Sequence, residues 1–218
     1  MFFKKYFCFL FILSIFSFNK VYSQSIGIVY EGTSFNLNNL FYHDTYSQNG
    51  MIKNIFVNYN APLGNDFMLS TRVGYGWDNN ESVYGSGGDE SVSEENINGF
   101  PVETEIKYKH FIERVSVFEP TIGVGIGYYN YTAKLKSGSS NETELITKGF
   151  GQYITFGMNI HISKSIVSSI QFKKIMINSI STERDTDDSY IEKDYVQGSG
   201  INDLSISLGI FYNINSGK

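Results

Sequence analysis

Apolar and polar residues alternate with a period of two along most of the chain beyond residue 25. In the stretch EPTIGVGIGYYNYTAKL, residues 119–135, the apolar side chains Ile122, Val124 and Ile126 alternate with Gly123 and Gly125. A period of two places successive side chains on opposite faces of a β-strand. The same alternation predicts eight strands, in residues 26–31, 54–59, 69–77, 102–109, 119–128, 150–160, 166–180 and 204–213.

The connections between these runs are alternately long and short. The short ones contain APLGND, FIERVS and ISKS, and the long, polar ones cover about 36–50, 79–99, 135–147 and 181–201. In an up-and-down barrel all long connections leave from one end. An even strand number with this asymmetry is typical of a transmembrane β-barrel, which closes because an open edge would leave backbone groups unpaired in lipid. The sequence therefore predicts an all-β, eight-stranded antiparallel up-and-down transmembrane barrel in residues 24–218.

The alternation also assigns a direction to each side chain. The apolar set, which includes Ile122 and Val124, is predicted to face lipid, and Gly123, Gly125 and Gly127 to face a crowded lumen. Consecutive lysines at 173 and 174 interrupt the seventh run and predict a β-bulge there. Charged residues on the inward face predict a lumenal polar network of Glu31, Arg72, Glu105, Lys107, Lys109, Glu119 and Lys173. Aromatic residues near strand ends predict two belts at the lipid interfaces: Tyr30, Tyr59, Tyr75, Trp77, Tyr108, Phe118, Tyr128, Phe150 and Tyr212.

The first 23 residues have the order of a secretory signal peptide. Lys4 and Lys5 precede an apolar run over residues 6–18, and small Ser23 follows it. That run is shorter than the roughly 20 residues that a membrane-spanning helix needs, although an uncleaved anchor remains the alternative. The signal peptide predicts that the mature chain leaves the cytoplasm. Cys8, the only cysteine, lies within that peptide, so the mature chain is predicted to contain no disulfide.

Composition and motifs indicate little chemistry. The 218-residue chain carries a formal net charge of −5, which disfavours a nucleic-acid partner. The common nucleotide-binding, zinc-protease and nucleophile-elbow motifs are not found in the sequence. Acidic residues in the long connections are interpreted as solvated charges, and we predict neither a metal site nor a cofactor. His43 beside Asp44 is the single candidate catalytic centre at the end with long connections, whereas His110 and His161 fall near the other end.

Three stretches carry a family resemblance: FEPTIGVGIGYY, GFGQYITFGMNIHIS and LSISLGIFYNI. They resemble the fifth, sixth and eighth strands of OmpA/OmpX-type outer-membrane barrels, and the likeness covers nearly all of the mature chain. The Ser-Gln at the cleavage point and the Asn, Ile, Lys and Tyr bias resemble Bacteroidota proteins. Such barrels commonly end on an aromatic residue that the insertion machinery reads, whereas here Phe211 and Tyr212 are followed by NINSGK.

The resemblance implies a cell outer membrane location with both termini in the periplasm. The implied partners are outer-membrane lipid, lipopolysaccharide and the barrel-insertion machinery, and a partner of the external loops is not specified. The leading hypothesis is a small non-enzymatic barrel with a structural or surface-interaction role. One alternative is a lipid A-modifying enzyme, because some barrels of this size are acylases or deacylases. The other is a soluble secreted β-barrel that binds a small hydrophobic ligand.

Overall fold

The computed structural model describes residues 24–36, 49–84, 91–110, 117–137, 141–186, 192–194 and 201–214. The predicted signal peptide, residues 1–23, lies outside them, as does His43. In the described part, no helix is long and apolar enough to cross a membrane. The described strands are β1 (Ser25–Asn36), β2 (Asn49–Pro62), β3 (Phe67–Tyr84), β4 (Ser91–Gly99), β5 (Val102–Lys109), β6 (Phe118–Ser137), β7 (Asn141–His161), β8 (Ile166–Thr186), β9 (Glu192–Asp194) and β10 (Ile201–Asn213).

The strands close into an antiparallel ring because β10 pairs with both β8 and β1. A path perpendicular to the strands from Ser25 passes through Asn60, Ser70, Glu105, Gly125, Tyr153, Ile175 and Asp203. Since Leu204 pairs with Ser34, this path returns to β1 opposite Phe35, ten residues beyond its start. At about 3.3 Å per residue and about 4.8 Å per strand, that stagger tilts the eight wall strands by about 41°.

The wall has eight positions because β4 and β5 together form one of them. Both pair with β3 and with β6, and the pairing is interrupted at Phe100 and Pro101. Proline lacks an N–H group, so it cannot donate a hydrogen bond within a strand ladder. Backbone hydrogen bonds from Gly74 N to Pro101 O (2.9 Å) and from Phe100 N to Asn130 O (2.9 Å) keep this wall position closed. Outside the ring, β9 pairs with β8 over residues 182–184.

Apolar side chains cover the outside, whereas the lumen holds most of the polar and charged side chains together with a smaller apolar and aromatic set that includes Val29, Phe56 and Phe211. Along β10, Leu204, Ile206, Leu208 and Ile210 are 55–64% exposed, whereas Ser205 and Ser207 between them are 2% and 3% exposed. A water-soluble protein buries such a surface, so this exterior suits an apolar solvent. The fold predicted from the alternation, an eight-stranded up-and-down barrel, is confirmed.

The glycines of β6 face the lumen and make room for large neighbours. A Cβ atom at Gly125 would overlap the ring of Tyr153, and one at Gly127 would lie 2.6 Å from the Tyr129 hydroxyl. At Gly123 it would lie 2.6 Å from Thr155 Oγ1. A side chain at any of these positions would force its neighbours to shift, which explains why so many glycines occur in a strand despite their low strand propensity.

The bulge predicted at Lys173–Lys174 is wrong. Alternation continues through both lysines, with Lys173 buried and Lys174 exposed. The register between β7 and β8 shifts further along, where Phe150 pairs with Ser179 but Gly151 pairs with Ile177. The extra residue is therefore Asn178. Two adjacent lysines do not require a bulge, because one side chain finds carboxylates in the lumen while the other points outward.

The strands also run further than the sequence indicated. Large parts of the connections predicted at 79–99, 135–147 and 181–201 belong to β3, β4, β6, β7 and β8. We call the barrel end with residues 24 and 214 the terminal end and the opposite one the far end. The short connections at residues 63–66 and 162–165 both lie at the terminal end, and Gly64 adopts a φ of 142° in the first of them.

Candidate functional site

Two carboxylates and two cations form a closed square at mid-height in the lumen. Arg72 Nη2 lies 2.8 Å from Glu31 Oε2, and Arg72 Nε donates to Glu103 Oε2 over 2.7 Å. Lys173 Nζ lies 2.6 Å from Glu31 Oε1 and 2.7 Å from Glu103 Oε1. All four side chains are at most 2% exposed. Each charge thus has two opposite partners, and the square is neutral as a whole.

Aromatic residues surround this square. The Tyr129 hydroxyl donates to Glu103 Oε1 over 2.9 Å. The Arg72 guanidinium lies 4.4 Å from the centre of the Phe56 ring, and Lys173 Nζ lies 5.3 Å from that of Tyr153. Buried ion pairs are stable only when further hydrogen bonds and close packing offset the loss of hydration. Here the rings exclude water and their faces attract the cations.

A second ionic group lies nearer the terminal end. Lys107 Nζ lies 2.7 Å from Glu105 Oε1, while Thr155 Oγ1 donates to Glu105 Oε2 over 2.9 Å. Gln171 Nε2 donates to Glu105 Oε1 over 3.3 Å. Together with the square, these side chains fill the cross-section of the barrel. The middle of the lumen is therefore a packed core rather than a channel, as expected for eight strands.

The third group lies at the terminal mouth. Asn159 Nδ2 donates to Glu119 Oε1 over 2.8 Å. Glu119 Oε2 lies 4.0 Å from Lys109 Nζ and 3.8 Å from His161 Nε2. These distances are at the limit of direct ionic contact, and the Lys109 and His161 side chains are 28% and 29% exposed. The mouth is thus loosely packed compared with the square above it.

The structure brings the predicted lumenal residues into these three groups and adds one. Glu103, omitted from the predicted network, is 0% exposed and contacts both cations of the square. The signal was present, because Glu103 is two positions from Glu105 and shares its face in a strand of period two. The pairing itself could not be read from the sequence, since Lys173 and Glu31 are separated by 142 positions.

The exterior aromatic residues lie in two belts. Near the far end, Tyr75 stacks on Trp77 with ring centres 6.1 Å apart, and Tyr128 contacts Phe150 at 4.9 Å. Tyr59, Tyr108, Phe118 and Tyr212 lie near the terminal end. On β6, Phe118 and Tyr128 are ten residues apart. At the tilt given above this separation is about 25 Å in height, which matches the apolar band of an outer-membrane barrel.

Three aromatic residues depart from the predicted belts. Tyr30 pairs across the sheet with Ile55 and Leu208, inside the aliphatic band rather than at its edge. Phe67 and Phe100 belong to the belts without having been predicted. Phe67 contacts Tyr108 at 5.5 Å near the terminal end, and Phe100 contacts Tyr75 at 5.4 Å near the far end. Both lie just outside the alternating runs, so the pattern did not include them.

The described lumen offers charge compensation rather than a reactive group. Within the described ranges, no cluster of three or more His, Cys, Asp or Glu side chains could hold a metal ion. The carboxylates of the square accept bonds from arginine and lysine, so their oxygens are already engaged. The arrangement can hold the walls in register and block passage, and among the described residues a cavity lies toward the terminal mouth.

The chain matches no protein-family model and no curated protein sequence. Solved structures with the same fold were found. A major outer membrane protein from Thermus thermophilus has a TM-score of 0.57 at 10% identity, covering 88% of this chain and 100% of that one. The outer membrane protein OprG from Pseudomonas aeruginosa has a TM-score of 0.52 at 12% identity, covering 87% and 95%. Ail, the attachment invasion locus protein of Yersinia pestis, was solved with the heparin analogue sucrose octasulfate; it has a TM-score of 0.50 at 13% identity, covering 88% and 99%. At these identities the likeness concerns the fold, which is that of outer-membrane β-barrels.

Proposed function

We propose that this protein is a small, non-enzymatic outer-membrane β-barrel that acts through the surface at its far end. One observation carries the proposal: the barrel has an apolar exterior about 25 Å high between aromatic belts, and the neutral square and the Glu105–Lys107 pair close the middle of its lumen. A barrel of this kind anchors the protein in the membrane. Its functional surfaces are consequently the two ends that leave the membrane.

The distribution of polarity disfavours the soluble secreted barrel. A carrier of a small hydrophobic ligand needs an apolar lumen and a polar exterior. In this barrel Ile28, Phe156 and Ile210 are 62–64% exposed on the outside, whereas Glu31 and Arg72 are buried inside. A hydrophobic ligand would have to displace the ion pairs and leave unpaired charges in the lumen.

We place the terminal end in the periplasm and the far end outside the cell. This orientation is supported by the short connections at residues 63–66 and 162–165, because outer-membrane barrels have short periplasmic turns. Both described chain ends lie on the same side, where Ile214 N donates to Gln24 O over 2.8 Å. Lipopolysaccharide and outer-membrane lipid would then surround the apolar exterior, and the insertion machinery would assemble it.

The surface that we assign to partner binding is the far-end sheet, formed by residues 78–84, 91–99, 129–137, 141–149 and 180–186. Pairing of β2 with β3 ends at Lys53 and Trp77, whereas β3, β4, β6, β7 and β8 continue beyond it. The described strands pair residues 79–84 with β4 alone. A strand edge of this kind is a template to which a partner can add a strand.

Intact-cell labelling tests the orientation. The predicted mature chain contains no cysteine, so a single introduced cysteine is its one labelling site. We compare the variant Asn96→Cys with the variant Asp66→Cys. Both side chains are exposed, the first in the far-end sheet and the second in a terminal turn. A membrane-impermeant maleimide should label Asn96→Cys in intact cells and Asp66→Cys only after the outer membrane is opened. The reverse pattern would refute the proposed orientation.

Shortening the far-end sheet tests the role. Lys134 and Glu144 are cross-strand partners, so an Asn-Gly turn can join them in place of residues 135–143 without removing the buried Tyr131 and Ala133. In a strain lacking the native protein, this variant should reach the outer membrane in normal amounts but fail to restore adhesion or aggregation of the cells. Full restoration by the shortened variant would contradict a role of this sheet.

The lipid A-modifying alternative depends on His43 and Asp44, which lie outside the described residues. In the described part, His110 and His161 are both at the terminal end. Mass spectra of lipid A from cells with the native protein and with His43→Ala test this alternative. Identical spectra from these and from cells without the protein are expected for a non-enzymatic barrel.

A further inference from the structure

Among the described residues, a cavity of about 640 Å³ lies in the lumen between the terminal mouth and the Glu105–Lys107 pair. This volume is within the range of sites for small organic ligands, roughly 300–1,000 Å³. Phe211 and Val167 line part of the cavity, and polar side chains from several strands line the rest. The cavity therefore has an apolar wall and a polar wall, which is the usual composition of a ligand site.

Positive charge predominates in this cavity. Lys107, Lys109 and Lys164 line it together with His161, whereas Glu119 is the carboxylate among the lining residues. Lys107 is bound to Glu105 at 2.7 Å and Glu119 lies 4.0 Å from Lys109, so these side chains leave a surplus of one positive charge, with Lys164 unopposed among them. An anion entering from the terminal end would meet two ammonium groups within a partly enclosed space, where charges are screened less than at an open surface.

Two buried polar atoms in the cavity wall have no hydrogen-bond partner. In the described residues four such side-chain atoms occur, and two of them, Asn60 Oδ1 and His161 Nε2, belong to residues that line this cavity. Asn60 Nδ2 donates to Ser25 Oγ over 3.0 Å. Asn60 Oδ1 is therefore left as an acceptor for a hydrogen bond from a ligand. Buried polar groups are normally satisfied, so each of these atoms indicates a group that the cavity can receive.

We propose that the cavity binds a small oxyanion that also carries hydroxyl groups, such as a sugar phosphate or a hydroxylated carboxylate. The anionic group binds the ammonium groups of Lys109 and Lys164. A hydroxyl group donates to Asn60 Oδ1, and the carbon skeleton packs against Phe211. The inference depends on the barrel and its lumen alone, and it holds whether or not the far-end sheet binds a partner.

Isothermal titration calorimetry of the full barrel in a neutral detergent tests the proposal with four probes: glucose 6-phosphate, gluconate, inorganic phosphate and glucose. Glucose 6-phosphate or gluconate should bind with a Kd of about 1 mM or below, and glucose should not bind. Ionic contacts between a charged probe and the cavity lysines weaken as salt is added. The affinity of the charged probes should therefore fall as ionic strength rises. Absence of heat with both charged sugars would overturn the proposal.

Matched variants separate this site from nonspecific attraction. The double variant Lys109→Gln with Lys164→Gln should weaken binding of the charged sugars by about tenfold or more, because hydrogen bonds to charged groups are the strong ones. Lys53→Gln has an exposed side chain on β2, outside the cavity, and should bind as the native protein does. Asn60→Leu should reduce affinity for glucose 6-phosphate without affecting inorganic phosphate.

The heat-dependent electrophoretic shift of each variant shows that the barrel is closed before titration. Equal weakening by Lys53→Gln and by the cavity variants would show that binding is nonspecific. Equal affinity for inorganic phosphate and glucose 6-phosphate would contradict the role of the hydroxyl group. Either result overturns the proposed ligand class, while the assignment of the fold and of the far-end sheet would stand.

Discussion

Replacing Glu103 by glutamine should destabilise the barrel strongly. Glu103 is fully buried and accepts hydrogen bonds from Arg72 Nε (2.7 Å), Lys173 Nζ (2.7 Å) and the Tyr129 hydroxyl (2.9 Å). In Glu103→Gln, two cations share Glu31 alone, so one positive charge is left uncompensated in the lumen. Removing one partner of a buried ion pair costs about 3–5 kcal/mol. Because Glu103 is fully buried, we expect the full loss of about 3–5 kcal/mol for Glu103→Gln.

Urea unfolding in lipid vesicles measures this change. Trp77 is the chain's only tryptophan and lies in the far belt, so its fluorescence reports loss of the folded barrel. The matched control is Glu144→Gln. Glu144 is 39% exposed and lies 3.9 Å from Lys134, so its substitution should change the free energy of unfolding by about 0.5 kcal/mol or less.

A double variant tests whether charge balance is the cause. Adding Lys173→Met to Glu103→Gln removes one charge of each sign and leaves Arg72 paired with Glu31. The two substitutions together should therefore cost less than the sum of their separate effects, with a coupling of about 1–3 kcal/mol. Strict additivity, or a loss of less than about 1 kcal/mol for Glu103→Gln alone, would refute the view that the square stabilises the barrel.

Two further substitutions test the packed lumen and the lipid-facing exterior. Leucine in the variant Gly125→Leu would overlap the Tyr153 ring, so this variant should destabilise the barrel by about 1–3 kcal/mol or prevent folding. The control is Gly32→Ala, which faces the flexible Met51 side chain and should have little effect on urea unfolding. Val124→Arg, in the middle of the apolar band, should destabilise insertion by about 2–4 kcal/mol, compared with about 0–1 kcal/mol for a charge near either interface; equal stability of Val124→Arg and the native protein in vesicles would contradict a lipid-facing exterior.

The barrel could be predicted because lipid and lumen impose opposite demands on neighbouring residues. On β6 that contrast produces Ile122, Val124 and Ile126 outside and glycines inside, and the pattern fixes both the strand and its faces. The pattern predicts loops in the far-end sheet for the same reason. Beyond the aromatic belts both strand faces can be polar, so residues 79–84 and 141–147 form strands without an alternating signal.

Local irregularities and long-range pairing were less predictable. The interruption at Pro101 and the bulge at Asn178 depend on the pairing register with the neighbouring strands. That register cannot be read from the residue pattern of one strand. The square depends on the stagger of ten residues around the ring, which sets the height of each lumenal charge. Alternation indicates that Lys173 points inward, but only the register places it against Glu31 and Glu103.

The most direct test of the account is the electrophoretic mobility of the protein in isolated outer membranes, with and without boiling in detergent. A closed transmembrane barrel stays folded in the unboiled sample, so we expect two different mobilities and recovery in the outer-membrane fraction. Recovery in the soluble fraction with a single mobility would contradict a lipid-embedded barrel and would favour a soluble secreted protein.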